Sequence, residues 1–304
     1  MLLRPGFLLN HFLSSRLLLD AYPSILAFGT RRLYTNYNGP LVEIERHTDN
    51  AKQDIGFLAD GSFDTATFNT FTSSGVTAYG VRTYYDQSGN NHHFIHATAT
   101  HQPTLDLATY DQPVLVFNGT ADHFDDSSLS DLAGQDYYTM IAMLFPDTAT
   151  GQQTVFSART FSPNVNLNFA YINNAGGAGY VYPDAGSNVQ QNGGNTPFAS
   201  AQLMTFPLGA SGGAIRINNS EMATGTFAAV TTLGLGAASI GRAAASSSHF
   251  SGGIGDLILL PQALLTSLLH RLEQQIIEDY LDTSTYVTSD GFVTDANGQF
   301  VTSS

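Results

Sequence analysis

Four histidines fall within ten residues, at His92, His93, His96 and His101. Under strand alternation His92 and His96 share one face and His93 takes the other. Two imidazoles on one face suit Zn2+ or Ni2+, which also needs a third or fourth ligand. The blander reading is a set of surface or interface histidines, able in an acidic protein to form a pH-sensitive contact. A second cluster, Asp122, Asp125, Asp126 and Asp131, offers hard oxygen donors of the kind Ca2+ takes. Asp122, Asp125 and Asp126 are the candidate ligands, although their spacing fits no fixed calcium loop and solvated turn residues are the default. No cofactor is expected beyond Ca2+ at these carboxylates. Gly209-Ala210-Ser211-Gly212-Gly213 fits the Gly-x-Ser-x-Gly nucleophile pattern, which works only on a strand-to-helix turn with His and Asp partners. Here it separates two strand-like runs, so a Gly-rich hairpin is expected. For sugar binding the candidates are Tyr110, Tyr180 and Tyr182 with Asp184; Trp, the strongest stacking side chain, is absent.

The bulk composition narrows the classes. The 304 residues are 42% hydrophobic and only 12% charged, with polarity supplied by Gly, Ser, Thr, Asn and Gln. That is the balance of a β-rich, turn-rich extracellular or virion-type protein. A net charge of -14 with a single lysine, Lys52, argues against binding to phosphate backbones or anionic membranes. Zero Cys removes disulfides and thiolate chemistry, and tilts toward folding in a reducing cytoplasm.

Short strands punctuated by Gly, Asn and Pro clusters must position these groups. Leu41 to Arg46 alternates apolar and charged residues, as a half-buried strand does. Asp64 is placed to cap a short helix carrying Phe68 and Phe71 on one face. Val76 to Tyr85 is a strand ending in Tyr84-Tyr85-Asp86-Gln87-Ser88-Gly89-Asn90-Asn91, a tight polar turn. Tyr137 to Phe145 is apolar throughout, as a core strand would be. Leu264, Leu265, Leu268, Leu269, Leu272, Ile276 and Ile277 predict an amphipathic helix over Pro261 to Leu281. After it, β-prone triplets around Asp290-Gly291 and Asn297-Gly298 predict a small meander. Met1 to Tyr22 reads as an apolar arm that docks on its own domain or a neighbouring subunit. Pro5-Gly6, Asn10 and His11 interrupt the run that a signal peptide or membrane span would need.

Several phrases in fixed order carry a resemblance: Arg31-Arg32-Leu33-Tyr34 with Asn36-Tyr37 and Gly39, Ile44 to Asn50, Asp54-Ile55-Gly56, Asp64-Thr65-Ala66, and Tyr84 to Asn90. Together, over roughly Leu18 to Pro103, they resemble the N-terminal half of the fungal α-L-arabinofuranosidase B catalytic domain, glycoside hydrolase family 54. They are still more similar to related modules in bacteriophage tail and other virion proteins. The resemblance implies an all-β fold, a concanavalin A-like jelly-roll β-sandwich with one C-terminal amphipathic helix and a terminal β meander. It divides the chain into an arm (1–21), a jelly roll (22–282, its family-54-like segment at 22–105) and a β tail (283–304). It also implies an acid Asp just after an Ile-Gly-Gly phrase; Ile240-Gly241-Arg242-Ala243 puts Ala243 there, and an Ala cannot transfer a proton. A mid-domain Glu nucleophile has no match around Val181 to Asn188, and the family's cysteines are missing.

The expectation is therefore a noncatalytic bacteriophage virion protein, a tail or head fibre, tip or decoration component, assembled in the host cytoplasm. Its partners would be other virion proteins and copies of itself, joined by arm and tail, with a lectin-like surface for host glycan. Neither nucleic acid nor membrane insertion is expected. The alternatives are a carbohydrate-binding lectin module and an arabinofuranosidase-like glycoside hydrolase, both extracellular.

Overall fold

The computed structural model describes residues 17 and 19–280 except 74–77, 110–111, 127–128, 130–136, 148–150, 160–165, 174–177, 184–188, 191–200, 210–211, 227–236, 244–247 and 263, with residues 293–294 and 300–301. In chain order the strands are β1 (Leu26–Phe28), β2 (Val42–Arg46), β3 (Lys52–Ile55), β4 (Tyr79–Tyr84), β5 (Phe94–Ile95), β6 (Thr104–Asp106), β7 (Val114–Asn118), β8 (Phe124–Asp126), β9 (Tyr138–Pro146) and β10 (Gly151–Arg159). They continue as β11 (Asn166–Asn173), β12 (Ala178–Pro183), β13 (Val189–Gln190), β14 (Gln202–Gly209), β15 (Gly212–Ile217), β16 (Ser220–Thr226), β17 (Ala237–Ile240), β18 (Ser251–Leu260), β19 (Val293–Thr294) and β20 (Phe300–Val301). The helices are α1 (Thr65–Thr72) and α2 (Thr266–Tyr280).

Two antiparallel sheets face each other, as expected for a jelly-roll sandwich. One has the order β16-β15-β14-β9-β18-β7-β6, with β1 also on β18; the other runs β13-β12-β11-β10-β17-β8-β5-β4-β2-β3. The interior between them holds Phe28, Val42, Ile44, Tyr84, Phe94, Phe117, Phe124, Phe156, Ile240 and Leu257. β9 explains its unbroken apolar run by being buried on both faces. Met140, Ala142 and Leu144 enter the interior, whereas Ile141, Met143 and Phe145 join a second cluster with Leu269, Leu272, Ile276 and Ile277 of α2. The first sheet is therefore covered outside by the helix.

α2 starts at Thr266 rather than at Pro261. The chain is still bending away from β18 at Pro261 and Gln262, the first turn forms on the Leu265 carbonyl, and Leu265 itself is 72% exposed. Arg216 of β15 reaches the helix, giving two hydrogen bonds of 2.9 and 2.8 Å to Glu273, both side chains buried. α1 is capped as the sequence suggests, with Thr67 N–H donating to Asp64 Oδ1 at 3.0 Å. The Gly-x-Ser-x-Gly segment joins β14 to β15 with Gly209 opposite Gly212, a hairpin rather than a strand-to-helix turn. β19 pairs with β20, one hairpin of the expected meander, whereas Tyr286–Thr288 lies outside the described residues. Most of the arm lies outside them too, but Leu19 is fully buried against the α2 cluster.

The polar turn after β4 is a clasp. Tyr84 sits in the core 5.0 Å from Phe28, and its hydroxyl donates to the Gly255 carbonyl. Asp86 Oδ1 accepts from the N–H groups of Ala27 and Ser88, and its Oδ2 accepts from the N–H of His92. Gln87 Oε1 accepts from Leu33 N–H at 2.9 Å while its Nε2 donates to the Gly29 and Arg31 carbonyls. Ser88 Oγ and Asn90 Nδ2 both donate to the Ile25 carbonyl. One turn thus satisfies the backbone of residues 24–33, which has no full set of strand partners. Gln87→Ala would strand a buried N–H and two carbonyls; we expect a loss of roughly 1–3 kcal/mol in denaturant unfolding, with no change in m-value.

Candidate functional site

The face of the ten-stranded sheet turned away from the interior carries a mostly polar row that the register makes continuous. Glu43 pairs with Thr83, Thr83 with Ile95, Ile95 with Asp125, Asp125 with Ser239, and Ser239 with Ser157. Residues paired across antiparallel strands share a face. Alternation explains the segregation: Phe124, Ala238 and Ile240 turn inward, so Asp125 and Ser239 turn out. Around the middle of this row lies a groove of about 440 Å3 lined by His93, Ile95, Asp125, Asp126, Ala237, Ala238, Ser239 and Arg242.

Asp125 is its best-held charge. Ser239 Oγ donates to Oδ1 at 2.6 Å, Arg242 Nη2 contacts both oxygens at 3.1 and 3.0 Å, and His123 Nε2 lies 3.4 Å from Oδ2. Burial pushes its pKa up, but the bonds from His123 and Ser239 and the Arg242 charge outweigh it and hold it at about 2. Asp126, the next residue, faces His92 Nδ1 at 3.2 Å. His93 packs edge-on to Tyr85 and accepts the Asp86 N–H through Nδ1; burial lowers its pKa, so it is neutral at pH 7. Two carboxylates, a guanidinium, a hydroxyl and an imidazole therefore converge beside Ile95, a half-exposed apolar surface. Such a set can stabilise positive charge and bind hydroxyl groups.

The three candidate calcium carboxylates are not grouped. Asp122 is buried in its own turn, where it accepts from Asn118 N–H at 3.0 Å and from Asn118 Nδ2 at 2.8 Å. Asp125 and Asp126 have the partners given above, and Asp131 lies outside the described residues. Burial raises the Asp122 pKa to about 6. A carboxyl that holds its proton more tightly when folded contributes stability below about pH 4, and loses it as pH rises through 6. We expect thermal melts of the wild type and Asp122→Asn to differ in pH slope between about pH 4 and 6 and to run parallel above pH 7.

Nor do His92 and His96 act as a pair. His92 faces Asp126, whereas His96 meets His101 and His123, three side chains whose ligating atoms all lie within 4.8 Å of one another. His123 was missed because it is 22 positions past His101; pairing of Ile95 with Asp125 brings it back. Tyr180 and Tyr182 lie on β12, where Tyr182 pairs with Asn168 and Asn168 with Ser157. Tyr110 and Asp184 lie outside the described residues. Ala243 is buried, and its neighbour Arg242 is the residue that reaches the Asp125 carboxylate.

Comparison with known proteins supplies the relationship. Residues 20–118 match the family model for the catalytic domain of alpha-L-arabinofuranosidase B. Alpha-L-arabinofuranosidase B of Penicillium canescens is 34% identical over 90 residues, which are 29% of this chain and 19% of that protein. A probable alpha-L-arabinofuranosidase B of Aspergillus fumigatus is 37% identical over 68 residues, 22% of this chain and 13% of the relative. This chain thus spans only a small part of the curated relatives it matches. An arabinofuranosidase solved with arabinofuranosyl-alpha-1,2-xylobiose superposes with a TM-score of 0.65 at 18% identity, covering 87% of this chain and 65% of that one. A second, a family 54 arabinofuranosidase soaked with a cyclic sulfate inhibitor, gives 0.63 at 17%. These matches overturn the expectation of a noncatalytic virion component: the segment they cover is similar to part of a hydrolase catalytic domain. Strand β8, beside β17, lines the groove with two carboxylates, Asp125 and Asp126. The first third of the chain is similar to the catalytic domain of alpha-L-arabinofuranosidase B, and its sandwich shares the fold of family 54 arabinofuranosidases.

Proposed function

We propose that the chain is a glycoside hydrolase that releases α-L-arabinofuranosyl groups. The observation that carries this reading is the match of residues 20–118 to an arabinofuranosidase catalytic domain. Glycoside hydrolysis uses two carboxyl groups about an oxocarbenium-like transition state, one protonating the leaving oxygen and one facing the anomeric carbon. Asp125, held ionised, is the group that faces the developing positive charge. Asp126, beside it in the groove, is the proton donor, replacing the acid that Ala243 cannot supply. Arg242, Ser239 and His93 offer hydrogen bonds to sugar hydroxyls, and Ile95 gives the apolar face of a furanose ring a surface to lie on. Arabinofuranosyl groups borne on polysaccharide lie outside cells, so the site of action is extracellular.

The test is release of 4-nitrophenolate from 4-nitrophenyl α-L-arabinofuranoside, with the β-D-xyloside and α-L-arabinopyranoside as controls. Selective turnover of the furanoside supports the reading. Folded protein that hydrolyses none of the three refutes it.

A further inference from the structure

We propose that His96, His101 and His123 form a binding site for one divalent transition-metal ion, Zn2+ foremost, with solvent completing the coordination. The three rings converge from separate elements: His96 follows β5, His101 ends a 3-10 turn at Ala99–His101, and His123 precedes β8. Ring centroids are 4.2 Å apart for His96 and His123, 5.0 Å for His96 and His101, and 5.6 Å for His101 and His123. Zinc–nitrogen bonds of about 2.0–2.1 Å place tetrahedral ligand atoms about 3.3 Å apart. Ligating atoms already within 4.8 Å reach that spacing by side-chain rotation. The backbone is pinned as well, since His123 N–H donates to the His101 carbonyl at 3.1 Å.

Hydrogen bonding at His123 points the same way. Its Nδ1 lies 2.6 Å from the Ala121 carbonyl, which can only accept, so Nδ1 carries the proton. That is the arrangement in which metal-bound histidines are held by a carbonyl behind them. His123 Nε2 points toward the Asp125 carboxylate, 3.4 Å from Oδ2. Three imidazoles suit zinc and do not match the all-oxygen preference of Ca2+ and Mg2+. Loading costs His96 the Thr98 N–H bond to its Nδ1 (3.1 Å), because a neutral imidazole has a single lone pair. Thr98 is exposed, and water replaces that bond.

The ion would tie β5, the 3-10 turn and β8 together at the edge of the groove. Untagged full-length chain is dialysed against EDTA and titrated with Zn2+ in the presence of a chromophoric chelator, and with Co2+ followed by visible absorption. Expected are one Zn2+ per chain, a tetrahedral Co2+ spectrum, and a melting temperature that rises with Zn2+ and falls again with EDTA. His101→Asn and His96→Gln should each weaken Zn2+ at least tenfold and erase the Co2+ spectrum, while His270→Gln on α2 changes neither. Failure of the wild type to bind stoichiometric metal, or equal affinity in wild type and His101→Asn, overturns the site. Binding lost only when His92 and His93 are replaced also overturns it.

Discussion

Asp125→Asn should lower kcat for an aryl α-L-arabinofuranoside by about 10²–10⁴ with little change in KM. The amide keeps the shape and can still bond Ser239 or Arg242, so the groove survives while its negative charge is lost. Loss of charge removes an interaction that is strong only when the anomeric carbon becomes positive. With its pKa at about 2, Asp125 stays ionised throughout the working range. Asp126→Asn tests the proton-donor role: turnover should fall most for substrates with poor leaving groups and least for nitrophenolate, which departs without protonation. Full activity in Asp125→Asn would remove the residue from the mechanism. A loss confined to KM would recast it as a binding group.

Arg216→Met should cost about 3–5 kcal/mol, because it leaves the Glu273 carboxylate buried with no counter-charge. Glu273 is fully buried on α2, and its guanidinium partner comes from β15, so the pair links helix to sheet. At about 2–4 °C per kcal/mol in chains of 150–250 residues, the melting temperature should fall by on the order of 10 °C. Arg216→Met combined with Glu273→Leu should recover most of the loss, since two apolar side chains need no partner. A single variant that melts with the wild type would show that water already reaches the pair. Far-UV circular dichroism and urea titration both read the outcome.

The sandwich was legible because its signals are local. Alternation in Leu41 to Arg46 gave β2, the all-apolar Tyr137 to Phe145 gave β9, and the Leu and Ile stripe gave α2. The start of α2 was misplaced because Pro261 suits a first helical turn as readily as the bend that precedes one. The groove was only partly legible. Asp125, Asp126 and Arg242 stood out by type, but their meeting depends on the pairing of β5, β8 and β17, which are over a hundred residues apart at the extremes. The His96, His101 and His123 group depends on the same pairing. Alternation grouped His92 with His96 by assuming a strand through His96, whereas β5 ends at Ile95.

The clasp at Tyr84 to Asn91 separates what this chain must keep from what it is free to change. Asp86 and Gln87 cannot be exchanged without leaving several buried backbone groups of residues 24–33 unpaired, so that phrase is tied to folding. Asp125, Asp126, Ser239 and Arg242 all lie beyond residue 118, past the end of the segment matched to arabinofuranosidase B. They line a groove on the sheet face turned away from the interior, where Ser239 is itself buried. Substitutions there can reshape the groove while leaving the clasp and its hydrogen bonds untouched.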